Sequence, residues 1–147
     1  MIELITDRTQ EHVDHLNTLR GIGWARMTSA ERDEWYEYAA KGAYNYTDLN
    51  RVEAAVAELA AMLGIELTTK TNWTMWDIPT QADMTRYLSN VERLRNAVWN
   101  GVSLPDVPRR MDNLTYVDAN NIETILLETR KRFESAPQCG EIYSGEV

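Results

Sequence analysis

Two stretches of the chain, seventy residues apart, open with the same pattern. Residues 46 to 53 read Tyr-Thr-Asp-Leu-Asn-Arg-Val-Glu, and residues 116 to 123 read Tyr-Val-Asp-Ala-Asn-Asn-Ile-Glu. Four of these eight positions are identical, and Val52 matches Ile122 in kind. The register continues: Val56 corresponds to Leu126, Glu58 to Glu128 and Leu63 to Phe133. Both segments therefore carry one apolar stripe at helical spacing, with acidic residues at matched places. This points to two related helices in one bundle. Two copies at this period are not a solenoid.

Three further segments show helical periodicity. Asp7-Arg8-Thr9-Gln10 and Thr28-Ser29-Ala30-Glu31 have the capping-box form, with a side-chain oxygen at the cap and Gln or Glu three residues on. Thr47, Thr80 and Thr115 read as similar caps, with Asn50, Asp83 and Asp118 at the third position. The first helix carries Val13, Leu16 and Leu19 and is expected to end near Arg20, before Gly21-Ile22-Gly23. The second runs from about Ser29 to Ala40 with Trp35, Tyr36 and Ala39. The third places Leu49, Val52, Val56, Leu59 and Leu63 on one stripe before Gly64. The fourth, about Gln81 to Trp99, spaces Met84, Leu88, Val91, Leu94 and Val98 three or four apart and stops at Gly101. The fifth runs from Tyr116 to about Phe133, closed by Arg130, Lys131 and Arg132, which suit the negative end of the helix dipole. Helices three, four and five are the expected core.

Ile65 to Trp73 begins as an alternating, β-branched stretch and reads as extended. Its available partners are Ile2-Glu3-Leu4-Ile5 and Glu141-Ile142-Tyr143, which would make a short β-ribbon between termini and loop. Leu104-Pro105-Asp106-Val107-Pro108 is not helix. The expected fold class is all-α: an antiparallel bundle of about five helices over residues 1–135, followed by an extended tail at 136–147.

The repeated polar residues have two readings. Asp48 and Asp118, with Asn50 and Asn120, can satisfy first-turn amides, while Glu53 and Glu123 sit near the positive end of a helix dipole. Alternatively, Asn50, Glu53, Asn120 and Glu123 form one polar patch for a partner or an ion where the two helix starts meet. Capping is the preferred reading. Trp73 and Trp76, gathered with Met75 in one loop, can either pin that loop onto the bundle or anchor an interface. Trp24, Trp35 and Trp99 read as core or hinge packing.

Catalytic and metal chemistry is poorly supported. His12 and His15 sit three apart beside Glu11 and Asp14, without the further ligands a metal site needs, and read as surface histidines. Gly21-Ile22-Gly23 follows a helix rather than a strand and reads as a helix stop. No Gly-x-Ser-x-Gly or phosphate-binding loop occurs, and Cys139 lacks a neighbouring base. The sequence implies no enzyme, no cofactor and no metal site.

Composition narrows the partners. With 23 acidic against 15 basic residues, the net charge of −8 repels a phosphate backbone, so nucleic acid is excluded as the expected partner. No apolar run reaches the length of a membrane span, and the start lacks a signal peptide, so no membrane partner is expected. The sequons at Asn45-Tyr46-Thr47, Asn72-Trp73-Thr74 and Asn113-Leu114-Thr115 read as turn and cap residues rather than glycosylation sites.

Asp7-Arg8-Thr9-Gln10, Gly23-Trp24, Met27-Thr28, Ala43 to Glu53 and Lys70-Thr71-Asn72-Trp73-Thr74 together resemble a family of phage and prophage virion proteins of Gram-positive bacteria. The resemblance covers residues 5 to about 133, and Leu114 to Glu123 is similar to a second helix start in such modules. It implies a tail-associated or other structural component without chemistry, located in the virion or in the host cytoplasm. Its partners would be other virion proteins or further copies of itself. Two rival expectations are a small carbohydrate-binding module or glycan hydrolase using Trp73 and Trp76, and a prophage regulator that binds a host protein.

Overall fold

A computed structural model describes residues 2–97 and 104–135, with the side chains of 36–40 left aside. Five α-helices are formed: α1 (Gln10–Ile22), α2 (Ser29–Gly42), α3 (Tyr46–Leu63), α4 (Gln81–Ala97) and α5 (Tyr116–Ser135). A 3-10 turn, Trp24–Arg26, joins the first two. The all-helical expectation holds. Among the described residues no strand is present, while Glu141-Ile142-Tyr143, Cys139, the expected tail at 136–147, and Val98, Trp99 and Gly101 lie outside them.

The starts of α2, α4 and α5 follow their caps. Thr28 and Glu31 exchange backbone and side-chain bonds, as do Thr80 with Asp83 and Thr115 with Asp118. Two starts are displaced from the expected residues. The cap of α1 is Thr9, not Asp7: the Thr9 hydroxyl accepts from the His12 amide and His12 Nδ1 accepts from the Thr9 amide. An imidazole nitrogen thus does the work expected of Gln10. The cap of α3 is Asn45, not Thr47, because Asn45 accepts from the Thr47 amide while Asp48 accepts from Asn45. Helix α1 also runs two residues past Arg20, since Gly21 is accommodated in the last turn and Gly23, at φ 84°, ends it. Gly64 closes α3 in the left-handed conformation.

Helices α3, α4 and α5 pack pairwise around one core, with Val52, Val56 and Leu59 from α3, Val91 and Leu94 from α4, and Ile122, Ile125 and Leu126 from α5. The two repeats bury matched positions: residues 52, 53, 55, 56 and 59 are buried, as are 122, 123, 125, 126 and 129. Helices α1 and α2 form a hairpin that is tightly packed at Gly42, where an added Cβ would lie 2.6 Å from the His12 carbonyl oxygen. Leu16, Leu19 and Met27 are buried in this hairpin, outside the main cluster. Segments 2–9 and 65–74 form neither helix nor strand and run over the bundle as straps, with Ile2, Leu4, Ile65 and Leu67 packed against the core.

Candidate functional site

A strap without a partner strand must satisfy its amides and carbonyls some other way. Here the repeated Asn and Glu residues supply the partners. Asn50 brackets residue 73 through its carboxamide: its oxygen accepts from the Trp73 amide at 2.7 Å and its Nδ2 donates to the Trp73 carbonyl at 2.9 Å. One helical turn further, Glu53 accepts from the Lys70 amide at 3.0 Å and from the Trp73 indole N–H at 2.7 Å. Arg86 of α4 completes the group with two donations to the same carboxylate.

The second copy does the same with the first strap. Asn120 accepts from the Arg8 amide at 3.0 Å and donates to the Arg8 carbonyl at 2.9 Å. Glu123 accepts from the Ile5 amide at 2.9 Å and from Arg8 Nη2 at 2.6 Å. In both sockets Asn holds strap residue k by both backbone groups, and the Glu three residues later holds the amide of k−3 and an N–H on the side chain of k. Residues three apart on the helix and three apart on the strap are therefore matched twice by the same bonding pattern. Arg51 of α3 crosses to Glu123 through Nε at 2.7 Å and Nη2 at 2.8 Å, in the part that Arg86 plays for Glu53.

The four residues that the alternative reading joined in one patch are divided between two straps. Asn50 and Glu53 face strap 65–74, whereas Asn120 and Glu123 face strap 2–9. Asp48 of α3 belongs to the second socket, where it binds both Arg8 and Arg51 beside Glu123. Glu53, Glu123 and Asp48 are at most 1% exposed, and burying such carboxylates is tolerable only when paired and hydrogen-bonded throughout. Burial pushes the Asp48 carboxyl above the usual carboxylate range, more than the hydrogen bonds from Arg51 and the Asn45 amide pull it down. Burial works against the Arg51 charge, yet Glu123 and Asp48 together hold its pKa above the usual value. Tyr44 and Tyr87 share a hydroxyl to hydroxyl hydrogen bond beside this network, and burial raises both phenols. The Arg8 guanidinium lies 5.6 Å from the Tyr44 ring. Its Nε is the one buried side-chain polar atom without a partner among the described residues.

The capping reading holds for Asp48 and Asp118, which accept the cap-residue amides, and fails for Asn50 and Asn120, whose side chains bond the straps instead, as do Glu53 and Glu123. A second repeat carried the missing signal. Ile2-Glu3-Leu4 and Thr6-Asp7-Arg8-Thr9 match Ile65-Glu66-Leu67 and Thr71-Asn72-Trp73-Thr74, with two more residues between the halves in the second copy. Each repeated helix start thus has its own repeated strap.

The tryptophans separate by role. Trp73 is 4% exposed, spends its indole N–H on Glu53, and has the Lys70 ammonium 4.4 Å from its ring. Trp76 is 84% exposed, with Met75 and Ile78 exposed beside it. Their loop is held in shape from within: Asp77 accepts from the Thr74 amide, and Thr74 receives the amides of Trp76 and Asp77. Met75, Asp77 and Pro79 line a groove of about 760 Å³ shared with Val13 and Arg20 of α1, and Trp73 forms part of its wall. Trp24 is not a core residue: it stands in the turn that joins α1 and α2, partly exposed, with the Arg32 guanidinium 4.9 Å from its ring. Trp35 is half-buried under Arg20.

His15 meets Glu34 of α2 at 2.9 Å. Among the described residues no group of three or more His, Cys, Asp or Glu side chains has the arrangement of a metal site, and none of the described helices is long and apolar enough to cross a membrane. Comparison with protein-family models, with curated proteins and with solved structures finds no match to this chain.

Proposed function

We propose that this chain is a non-enzymatic assembly module of a phage-derived particle, tail-associated, that docks on another virion protein through the loop carrying Met75, Trp76 and Ile78. The observation that carries this reading is the contrast between Trp73 and Trp76. One indole is buried and bonded so that the loop has a fixed shape, and the next presents its face to solvent between two other apolar side chains. Large aromatics on a preorganised loop supply interface area at little ordering cost, which is how the central anchors of protein interfaces work. The resemblance to virion proteins supplies the setting, and the net charge of −8 argues against a nucleic-acid partner.

The polar repeat supports the same view from the other side. Its carboxylates are saturated by groups of the chain itself and are closed to solvent, so they serve construction rather than chemistry. A glycan platform built on Trp73 and Trp76 loses its first member to the core.

Replacing Trp76 and Ile78 together by serine tests the proposal in assembled particles. The variant should melt like the wild type, because neither side chain is buried, and should be missing from gradient-purified particles that contain the wild-type protein. Incorporation at the wild-type level would overturn the docking role of the loop.

A further inference from the structure

The two sockets differ in how their straps are tethered. Strap 65–74 follows α3 directly through Gly64, so it folds back on the helix that receives it. Strap 2–9 reaches its socket on α5 from the other end of the described chain, 112 residues away at Arg8 and Asn120. A nearby tether gives a strap a high effective concentration at its socket, and a remote one gives less. Segment 2–9 is therefore the strap for which a second copy competes best.

What strap 2–9 brings with it is also separable. It leads into the α1–α2 hairpin, whose buried Leu16, Leu19 and Met27 stand apart from the main core. Among the described residues, α1 and α2 pack chiefly on each other. The seam between hairpin and bundle holds two open grooves, of about 760 and 450 Å³, lined in common by Val13, Gly42, Ala43, Tyr44 and Leu114. Only three residues, Ala43, Tyr44 and Asn45, connect the hairpin to α3.

From these observations we infer that the Asn120 and Glu123 socket, completed by Asp48 and Arg51, is a binding site for a peptide with an arginine three residues after its first bound amide, and that its intermolecular ligand is segment 2–9 of a second copy of this chain. In the exchanged pair each copy gives its strap and hairpin to the other. Arg8 of one copy then meets Asp48 and Glu123 of its neighbour, with every bond of the single chain repeated across the pair. Exchange of identical elements requires no new interface. A high local concentration of copies favours it by mass action.

Mixed refolding tests the exchange. Arg8→Ala damages the strap and leaves the socket intact, whereas Glu123→Ala does the reverse. Refolded together at high protein concentration, the two variants should form a heterodimer, read by native mass spectrometry, at least about tenfold in excess of either homodimer, since only the heterodimer joins an intact strap to an intact socket. The three dimers in the 1:2:1 ratio of random pairing, or with less heterodimer than that, would overturn the inference. Because either variant alone can fail to fold, tagged and untagged wild-type chains are refolded in the same way. They should give mixed dimers that persist on dilution, whereas wild-type protein that is monomeric at every refolding concentration would also overturn the inference. Dimer formation should survive the Trp76 and Ile78 double substitution, which keeps this test separate from that of the docking loop.

Discussion

At the scale of single residues, the central feature is a carboxamide that holds a backbone by both its hydrogen-bonding groups. Removing either Asn50 or Asn120 leaves an amide and a carbonyl of a strap without partners. The cost of such unmade bonds is about 1–3 kcal/mol for each buried group. Asn50→Ala and Asn120→Ala should each lower the melting temperature by several degrees, as measured by circular dichroism. A pair of shifts within one degree of zero would contradict the socket role. Local rules could see Asn50, Glu53, Asn120 and Glu123 as good first-turn residues. They could not see the receiving role, because the groups received lie 17 to 118 residues away in sequence. The clue was the recurrence of Thr-Asp/Asn-Arg/Trp-Thr, which acquires meaning only when paired with the helix repeat.

Capping aspartates give a pH prediction at the same scale. The Thr80 backbone amide and then its hydroxyl hold the Asp83 carboxyl below its ordinary value of 3.8. A depressed folded pKa means that the contribution is present above the unfolded value and is lost as pH falls through the folded one. Melting temperature should therefore drop below about pH 4, and Asp83→Asn should make that acid limb shallower. An unchanged limb would remove the cap from the account. Asp77, held down mainly by the Thr74 amide, leaves part of the slope in place.

At the scale of elements, the helices were legible because apolar spacing and caps are written locally. Leu49, Val52, Val56 and Leu59 gave α3, and Thr28 with Glu31 gave the start of α2. Both misplaced starts offered two capping residues two positions apart, and at α1 the strap decides between them. Thr9 follows directly on Arg8, which is fixed in the socket, so the helix starts at Gln10 and Asp7 is left outside to pair with Lys41. Among the described residues the expected ribbon is not formed: Ile65 to Trp73 is no strand, and its backbone partners are side chains on α3 and α4. Helix α2 depends on Gly42 for its approach to α1. Gly42→Ala would place a methyl group against the His12 carbonyl and Leu16 Cβ, at 2.6 and 2.8 Å. Overpacking of this kind costs about 1–3 kcal/mol, and the loss should show as faster hydrogen exchange in α1 and α2, with α3 and α5 unchanged. Uniform acceleration across all five helices would mean that the hairpin and the bundle melt as one.

At the scale of the whole molecule, three helices, α3, α4 and α5, make the core, and two straps bind it through one repeated device. Segment 2–9 ties the hairpin to that core, and segment 65–74 sets the shape of the loop that displays Trp76. This division explains why so many charged groups are buried in an acidic chain: Arg8, Arg51 and Arg86 answer Asp48, Glu53 and Glu123 at the two sockets. It also explains why the loop can be both exposed and ordered.

The most direct test of this construction is native-state hydrogen exchange, resolved by residue, at the amides of Ile5, Arg8, Lys70 and Trp73. Each donates to a side chain of α3 or α5, and none belongs to a helix. If the sockets hold the straps as described, these four amides exchange with the slow amides of the bundle, through its global opening. Exchange at the rate of exposed loop amides would contradict the account.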